Sequence, residues 1–531
     1  MDRADSVEKA ETVVDQPDDA VYPTSWKLMS ILFALVLSIF LVALDMTIVA
    51  TAIPRITDQF KSLDDVGWYG SAFFLTVASF QSTWGKAYKY FPLKTSFLVA
   101  IAIFEVGSLI CAVANSSVTL IVGRALAGAG GAGIASGCYT IIAFSAPPKK
   151  AGALTGVLGA VYSVASVIGP LLGGVFTDKL SWRWCFYINL PIGGAAVILI
   201  FFTFQTPPHA KPQQATLKEK FLQMDPAGTL ILMASFICLI LVLQWGGVSK
   251  AWNSSEIIGL LVGFGLILAL FIVNEFYQGD RALIVPRLVK NRTITLMSLF
   301  QVFNSGVFLM LMYYLPIYFQ VARGVSASQS GIRNLPYVLG VGLFTMVSGA
   351  AVSMTGHYLP AMVAGATLGT IGTGLIFTLD VNSSPGKWIG YQALAGIGLG
   401  LGIQIPIIVS QSMVHVSDIS SINAIEIFFQ TISGAVFVSV GQSIFSNKLI
   451  GEVHRRLPDI NPQMVVATGA TELRKVFDAK TLPQVIASYM GGLQDAYALG
   501  VALGAAASVV AVVAVIIDRR RITPGAIAAA G

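Results

Sequence analysis

Five charged side chains stand inside stretches of sequence that are otherwise apolar: Asp45 within LVALDMTIVATAIP, Glu105, Arg124 within LIVGRALAGAGGAG, Glu275 and Glu426. A charge costs roughly 3 kcal/mol or more at the centre of a hydrocarbon layer, so each needs a function or a partner. Low dielectric disfavours the ionised form of a carboxyl group, and a neighbouring cation favours it. A carboxyl group that alternates between those settings can take up and release a proton as its surroundings change. Asp45 is the first candidate for such a role, with Glu105 and Glu426 behind it, and Arg124 is the side chain that would tune the site. The alternative for Asp45 is a structural polar pair between helices, and for Arg124 a structural pin. Glu275 reads as a snorkelling residue at an interface.

The elements that must position these groups are legible from composition. The chain has 531 residues, of which 55% are hydrophobic and 11% charged. Soluble domains carry roughly 25% charged residues, so this chain lacks the polar side chains to cover a surface in water. Apolar runs long enough to span a bilayer, about 20 residues each, fall near 28–50, 67–84, 95–114, 118–144, 152–176, 184–204, 226–246, 256–276, 294–318, 332–353, 358–379, 388–412, 422–446 and 494–517. Fourteen spans put both ends of the chain on one side. The face shared with the ends holds eighteen Lys and Arg, against eight in the short opposite loops. The excess of basic residues predicts that both termini are cytoplasmic. The segment 1–27 has no signal-peptide core, so the first span is expected to be its own insertion signal. The Pro-rich linker 205–225 follows six spans, and the basic loop 277–293 follows two more. The expected domains are therefore a tail 1–27, a six-helix bundle 28–204, the linker, two intervening helices within 226–276, the loop 277–293, a second bundle 294–517 and a tail 518–531. A long outer loop, 447–493, interrupts the second bundle. Its segment IASYMGGLQDAY is amphipathic in places and reads as a re-entrant or surface helix.

Several function classes are excluded. The net charge of +6 is scattered between apolar runs, with no basic face for nucleic acid. Gly128, Gly130 and Gly133 fit a dinucleotide fingerprint literally, but they lie inside an apolar run with Ala153 where an acid is needed. No P-loop sequence is present. Cys111, Cys138, Cys185 and Cys238 lack metal-ligand spacing, and His209, His357, His415 and His454 are isolated and expected in loops. No catalytic residue, metal or organic cofactor is expected; a proton gradient would supply the energy. The expected partners are a small-molecule substrate, protons and the lipid bilayer, for a monomer.

Polar and aromatic residues within spans are candidates for a substrate cavity: Gln81, Gln301, Asn304, Tyr313, Tyr314 and Gln430. The block GPLLGG, with Gly169, Pro170, Gly173 and Gly174, frees a backbone carbonyl and lets a neighbour approach closely. It is expected to act as a hinge or as a contact between the two halves. Sequons at Asn115, Asn253 and Asn382 fall on the outer side as glycosylation candidates.

These residues resemble the major facilitator superfamily, in particular its fourteen-helix drug:proton antiporter branch and its fungal members. LDMTIVATAIP (44–54), GRALAGAGGA (123–132), GPLLGG (169–174), WRWCFYINLPIG (182–193) and YYLPIYFQVARGVSASQSGIRNLP (313–336) carry the resemblance. It implies an all-α polytopic fold of two six-helix bundles plus two intervening helices. It also implies proton-coupled export of drugs or secondary metabolites, with Arg124 matching an arginine implicated in proton transfer. The inner loop departs from the family pattern. In GKAYKYFPLK (85–94) Gly85 and Lys94 fit, but Lys89 and Tyr90 replace an acid and an arginine, so the charge relay of that loop does not carry over. The expected location is the plasma membrane. The alternative reading is uptake, or vacuolar transport, of a nutrient, basic amino acid or iron chelate.

Overall fold

The computed structural model describes residues 23–60, 66–208, 210–468, 470 and 472–517, and these are helical with no strand among them. Fourteen long helices carry the fold: α1 Ser25–Phe60, α2 Val66–Tyr90, α3 Leu93–Ala112, α4 Ser117–Ser145, α5 Pro148–Lys179, α6 Asn189–Thr203, α7 Pro226–Trp245, α8 Ser255–Gln278, α9 Arg292–Arg323, α10 Leu335–Thr355, α11 Leu359–Phe377, α12 Pro385–Ile403, α13 Ile419–Arg456 and α14 Leu482–Ile517. Thirteen helices among the described residues are long and apolar enough to cross a membrane. The other, α2, is 25 residues long and more polar, because it carries Gln81, Lys86 and Lys89. It is enclosed by α4, α7 and α13 and shows little of that polarity to lipid.

Backbone groups at helix ends have no partner within the helix and must find one in a side chain. Here Ser116 caps α4, Asp225 caps α7, Ser254 caps α8 and Asn291 caps α9, each accepting a bond from a backbone N–H two or three residues on. Gly324 and Gly356, with φ of 62° and 70°, end α9 and α10 in the left-handed conformation that glycine adopts without strain.

Helices α1–α6 form one bundle and α9–α14 a second. The two meet along two seams, α5 against α10 and α2 against α13. The α7–α8 pair lies against α2 and α13 and so covers the second seam from outside. Leu261, Val262, Leu266, Leu270, Val273 and Phe276 leave α8 exposed and apolar along its length. Such a surface is stable only against hydrocarbon, which makes this a multi-pass membrane protein. The face that holds residues 23 and 517 is called the terminal face below, and the opposite one the far face.

Three expectations change. The loop 447–493 shrinks to 457–481, because α13 runs on to Arg456 and α14 begins at Leu482. The charges that suggested a loop are paired along α13: Glu452 binds Arg455 at 2.6 Å and Arg456 at 2.8 Å. IASYMGGLQDAY is the first part of the final span, with Ile486, Tyr489, Met490, Leu493 and Ala496 buried, and is neither re-entrant nor a surface helix. His454 lies within α13 for the same reason. The tails and His209 fall outside the described residues, apart from 23–27 at the start of the chain.

Candidate functional site

Asp45 and Arg124 meet inside the first bundle. Both side chains are fully buried, and the guanidinium Nη1 donates to the Asp45 carboxylate. Arg124 also donates through Nε to the Tyr69 carbonyl at 2.9 Å and lies over the Phe73 ring, 4.4 Å from its centroid. The other oxygen of Asp45 accepts from Asn189 Nδ2 at 3.0 Å, and the same nitrogen lies 3.1 Å from Ser108 Oγ. Four helices are thus joined at one point: α1 by Asp45, α4 by Arg124, α6 by Asn189 and α3 by Ser108. Asn189 and Ser108 carry no charge, so neither stands out in an apolar run. The signal that could have found Asn189 is its position as the sole amide of WRWCFYINLPIG.

Glu105 lies one turn from this junction. It precedes Ser108 by three residues on α3, and a Cβ at Gly193 would collide with its Oε1. Gly193 itself follows Asn189 by one turn on α6. Both carboxylate oxygens of Glu105 are buried and neither has a hydrogen-bond partner. The first bundle therefore holds one fully paired carboxylate and, about one helical turn from its Asn189 and Ser108 partners, an unpaired one.

Glu426 is the counterpart in the second bundle. It is fully buried on α13; its Oε1 accepts from Ser298 of α9 at 3.0 Å and from Ser410 at 2.6 Å, while Oε2 has no partner. Ser410 belongs to the short helix Ile405–Ser412 that continues α12. Nearby, Asn423 of α13 reaches across to Thr140 of α4 at 3.5 Å and accepts from Gln411 at 2.7 Å. Glu275 is not a snorkelling residue. It is buried, because the chain turns back after α8 and brings the backbone N–H groups of Leu283 and Ile284 onto its carboxylate at 3.4 and 2.6 Å.

The loop between α2 and α3 and its flanks carry charges that are paired across the fold. Lys89, at the end of α2, binds Asp418 immediately before α13 at 2.7 Å, and Arg287 binds the other oxygen of Asp418 at 2.9 Å. An acid beside the second bundle thus holds a cation of the first across the seam. Gly85 allows this approach, since a Cβ there would collide with Ala424 of α13. Lys86 is buried and donates to the Asp280 carbonyl. Lys94 turns away, donating to the Phe201 carbonyl near the end of α6 at 2.6 Å. Together with the Gly152–Gly349 approach of α5 and α10, these contacts close the seams at the terminal face.

GPLLGG does not join the halves through its glycines. A Cβ at Gly169 or Gly173 would collide with Thr47 or Thr51 of α1, in the same bundle, whereas Gly174 faces open space. The halves meet on α5 at Gly152, Gly156 and Gly159 nearer the terminal face, and again at Val167 and Leu171, which lie against Gly331, so the block touches the second half through Leu171. Pro170 lies within the continuous helix α5, beside the stretch of α1 that carries Asp45.

The cavity candidates divide. Tyr314 is a packing residue, donating to the Val438 carbonyl at 3.1 Å and accepting from Tyr497 at 3.2 Å. Tyr313 is 49% exposed and Gln430 half-buried. Gln81 donates to Ser136 and to the Ala132 carbonyl, leaving Oε1 unpartnered. Gln301 and Asn304 are buried with free hydrogen-bonding capacity. Gln404 is likewise buried with its Oε1 free, and as an uncharged residue it does not stand out in the sequence. Asn115, Asn253 and Asn382 are exposed on the far face. No group of three His, Cys, Asp or Glu among the described residues could hold a metal ion.

Two six-helix halves meeting along two seams, with buried carboxyl groups in each, define a membrane transporter. The chain belongs to the Major Facilitator Superfamily, whose profile matches residues 35–438. It is 50% identical to the MFS-type transporter thnB of Trichoderma harzianum over 92% of this chain and 84% of that one. It is 44% identical to the MFS-type efflux pump MFS1 of Arthroderma benhamiae over 95% of this chain and 94% of that one. The solved proton:xylose symporter XylE superposes with a TM-score of 0.57 at 13% identity, covering 90% of this chain and all of that one, which shows the shared fold.

Proposed function

We propose that the protein is a proton-coupled exporter of small lipophilic compounds, drugs or secondary metabolites, working by alternating access between its two bundles. The observation that carries the coupling is the bare carboxylate of Glu105 one turn from the Asp45–Arg124 pair. An ionised carboxylate without a partner is costly in a dry interior, so movement of α3 or α6 that changes its contacts changes its hold on a proton. Arg124 is the cation that can be shared: bound to Asp45 here, it would stabilise whichever carboxylate it faces after the halves rock. Glu426, also half-unpartnered, is the second proton site. Export rather than uptake is supported by relatives named as efflux pumps. The reading places the terminal face in the cytoplasm, the protein in the plasma membrane as a monomer, and Asn115, Asn253 and Asn382 where glycosylation enzymes reach them. Substrate would bind near the midplane, where transporters of paired halves hold it, with Gln81, Gln301, Asn304 and Gln430 as lining candidates.

The test is efflux of a panel of fluorescent lipophilic compounds from cells lacking their own pumps, with and without a protonophore. Expression-dependent efflux that collapses with the protonophore is expected. Efflux that survives it would remove proton coupling, and inward counterflow in oriented vesicles would reverse the direction.

A further inference from the structure

Three buried amide side chains lie on two neighbouring helices of the second bundle, one of them in contact with the first. Gln301 and Asn304 lie on α9, three residues apart, and Gln404 ends α12; their exposures are 0%, 1% and 1%. Gln404 Nε2 donates to Tyr139 Oη of α4 at 3.1 Å, and a Cβ at Gly159 of α5 would stand 2.5 Å from that nitrogen. Gln404 is thus in contact with both helices of the first bundle that meet it there. Asn304 approaches the Leu399 carbonyl of α12 at 3.5 Å and would lie 3.3 Å from a Cβ at Gly402, within a turn of Gln404.

Much of their hydrogen-bonding capacity is unused. Gln301 has no partner for either Nε2 or Oε1, and Asn304 Oδ1 and Gln404 Oε1 are also free. Buried polar groups are nearly always satisfied, and each unpaired one costs enough to change an equilibrium tenfold or more. Three such residues beside one another have a use in another step of the cycle, when the seam opens and something pairs with them.

The chemistry of that partner follows from the groups present. An amide offers N–H donors and a C=O acceptor and no net charge. Among the described residues no charged side chain bonds any of the three amides: Asp45 is bound by Arg124, Glu105 stands between α3 and α6, and Glu426 is held through Oε1 by Ser298 and Ser410. Ser298 and Asn304 are six residues apart on α9, about 120° around the helix, so Ser298 faces Glu426 of α13 while Asn304 faces α12. The buried ring of Phe300 stands beside Gly402, 3.0 Å from where its Cβ would be, and supplies an apolar wall. We propose that Gln301, Asn304 and Gln404 form the polar subsite for an uncharged substrate that carries hydroxyl and carbonyl groups on an apolar scaffold. The subsite rejects lipophilic cations and carboxylates, for which it has no countercharge. Its use in transport rests on the exporter reading; its binding preference does not.

The test uses one aromatic scaffold in four forms: bare, with hydroxyl and ketone groups, with a trimethylammonium group and with a carboxylate. Thermal stabilisation of the purified full-length protein reports binding, and efflux from expressing cells reports transport. The hydroxy-ketone form is expected to bind at least tenfold more tightly than the other three. Gln301→Leu is expected to abolish that preference; Asn304→Leu and Gln404→Leu are made in parallel in case one variant fails to fold. Equal or tighter binding of the cation or the carboxylate, no binding of any form, or an unchanged preference in folded variants would overturn the inference. Binding of the hydroxy-ketone form with the expected preference but without efflux would leave it standing and overturn the exporter reading instead.

Discussion

Asp45 and Arg124 depend on each other in a way Glu105 depends on nothing. Removing one member of a buried pair leaves the other uncompensated, at a cost of about 3–5 kcal/mol. Asp45→Asn, and equally Arg124→Gln, should therefore lower the melting temperature of the purified protein steeply. Glu105→Gln is the cleaner probe. It removes a group with no hydrogen bond to lose, so stability should be kept while protonophore-sensitive efflux falls at least tenfold. A Glu105→Gln protein with normal coupled efflux would move the proton to Glu426. The charged members of this site were visible in the sequence because a charge in an apolar run is conspicuous. Asn189, Ser108 and Gln404 were not, since a neutral polar residue in such a run is unremarkable until its neighbours across the fold are known.

At the scale of the helix, α1 and α5 are pressed together along Thr47, Thr51, Gly169 and Gly173, while Gly174 looks into open space. The three glycines of one motif should respond differently. Gly169→Ala and Gly173→Ala force side chain against a threonine in a tight interface, a strain of about 1–3 kcal/mol, and Gly174→Ala should be neutral. Melting curves of the three variants decide this; equal losses would mean that the motif acts through chain flexibility instead. The helices themselves were legible as apolar runs, and all fourteen appear. Their ends were less so wherever a helix outlasts the apolar run. In α13, Lys448, Glu452, Arg455 and Arg456 form ion pairs three and four residues apart, which support a helix beyond the hydrocarbon but read as a loop by hydropathy.

For the whole molecule, the Lys89–Asp418–Arg287 cluster ties the first bundle, the second and the loop between α8 and α9 at one face. Asp418→Asn should weaken closure there, and the exchange Lys89→Asp with Asp418→Lys should restore part of it. Efflux rates of these variants read the effect, and a chemical cross-link tests separately whether this face must open. In a background with Cys238→Ser, Lys89→Cys with Asp418→Cys and a short bifunctional thiol reagent should halt efflux, and cleavage of the link should restore it. The remaining cysteines, Cys111, Cys138 and Cys185, are buried and should not compete. Efflux that continues at full rate in the linked protein would mean that this face need not open.

The α7–α8 hairpin holds on to both halves. Thr229 and Gln244 of α7 bond Thr83 and Ser71 of α2, and the turn at Gly246 and Trp252 bonds Asn447 of α13. Its place in the chain obeys a rule of parity. An even number of crossings between two halves leaves the second half threaded in its original sense, whereas a single extra crossing would turn it upside down. The chain between the bundles can therefore lengthen only by pairs of helices, and a pair placed there emerges beside α2 and α13 with both its ends on the terminal face. A protein rejoined from residue 216 to residue 285 should keep every remaining helix in its orientation while losing the cover over one seam and the Asp280 carbonyl that holds Lys86.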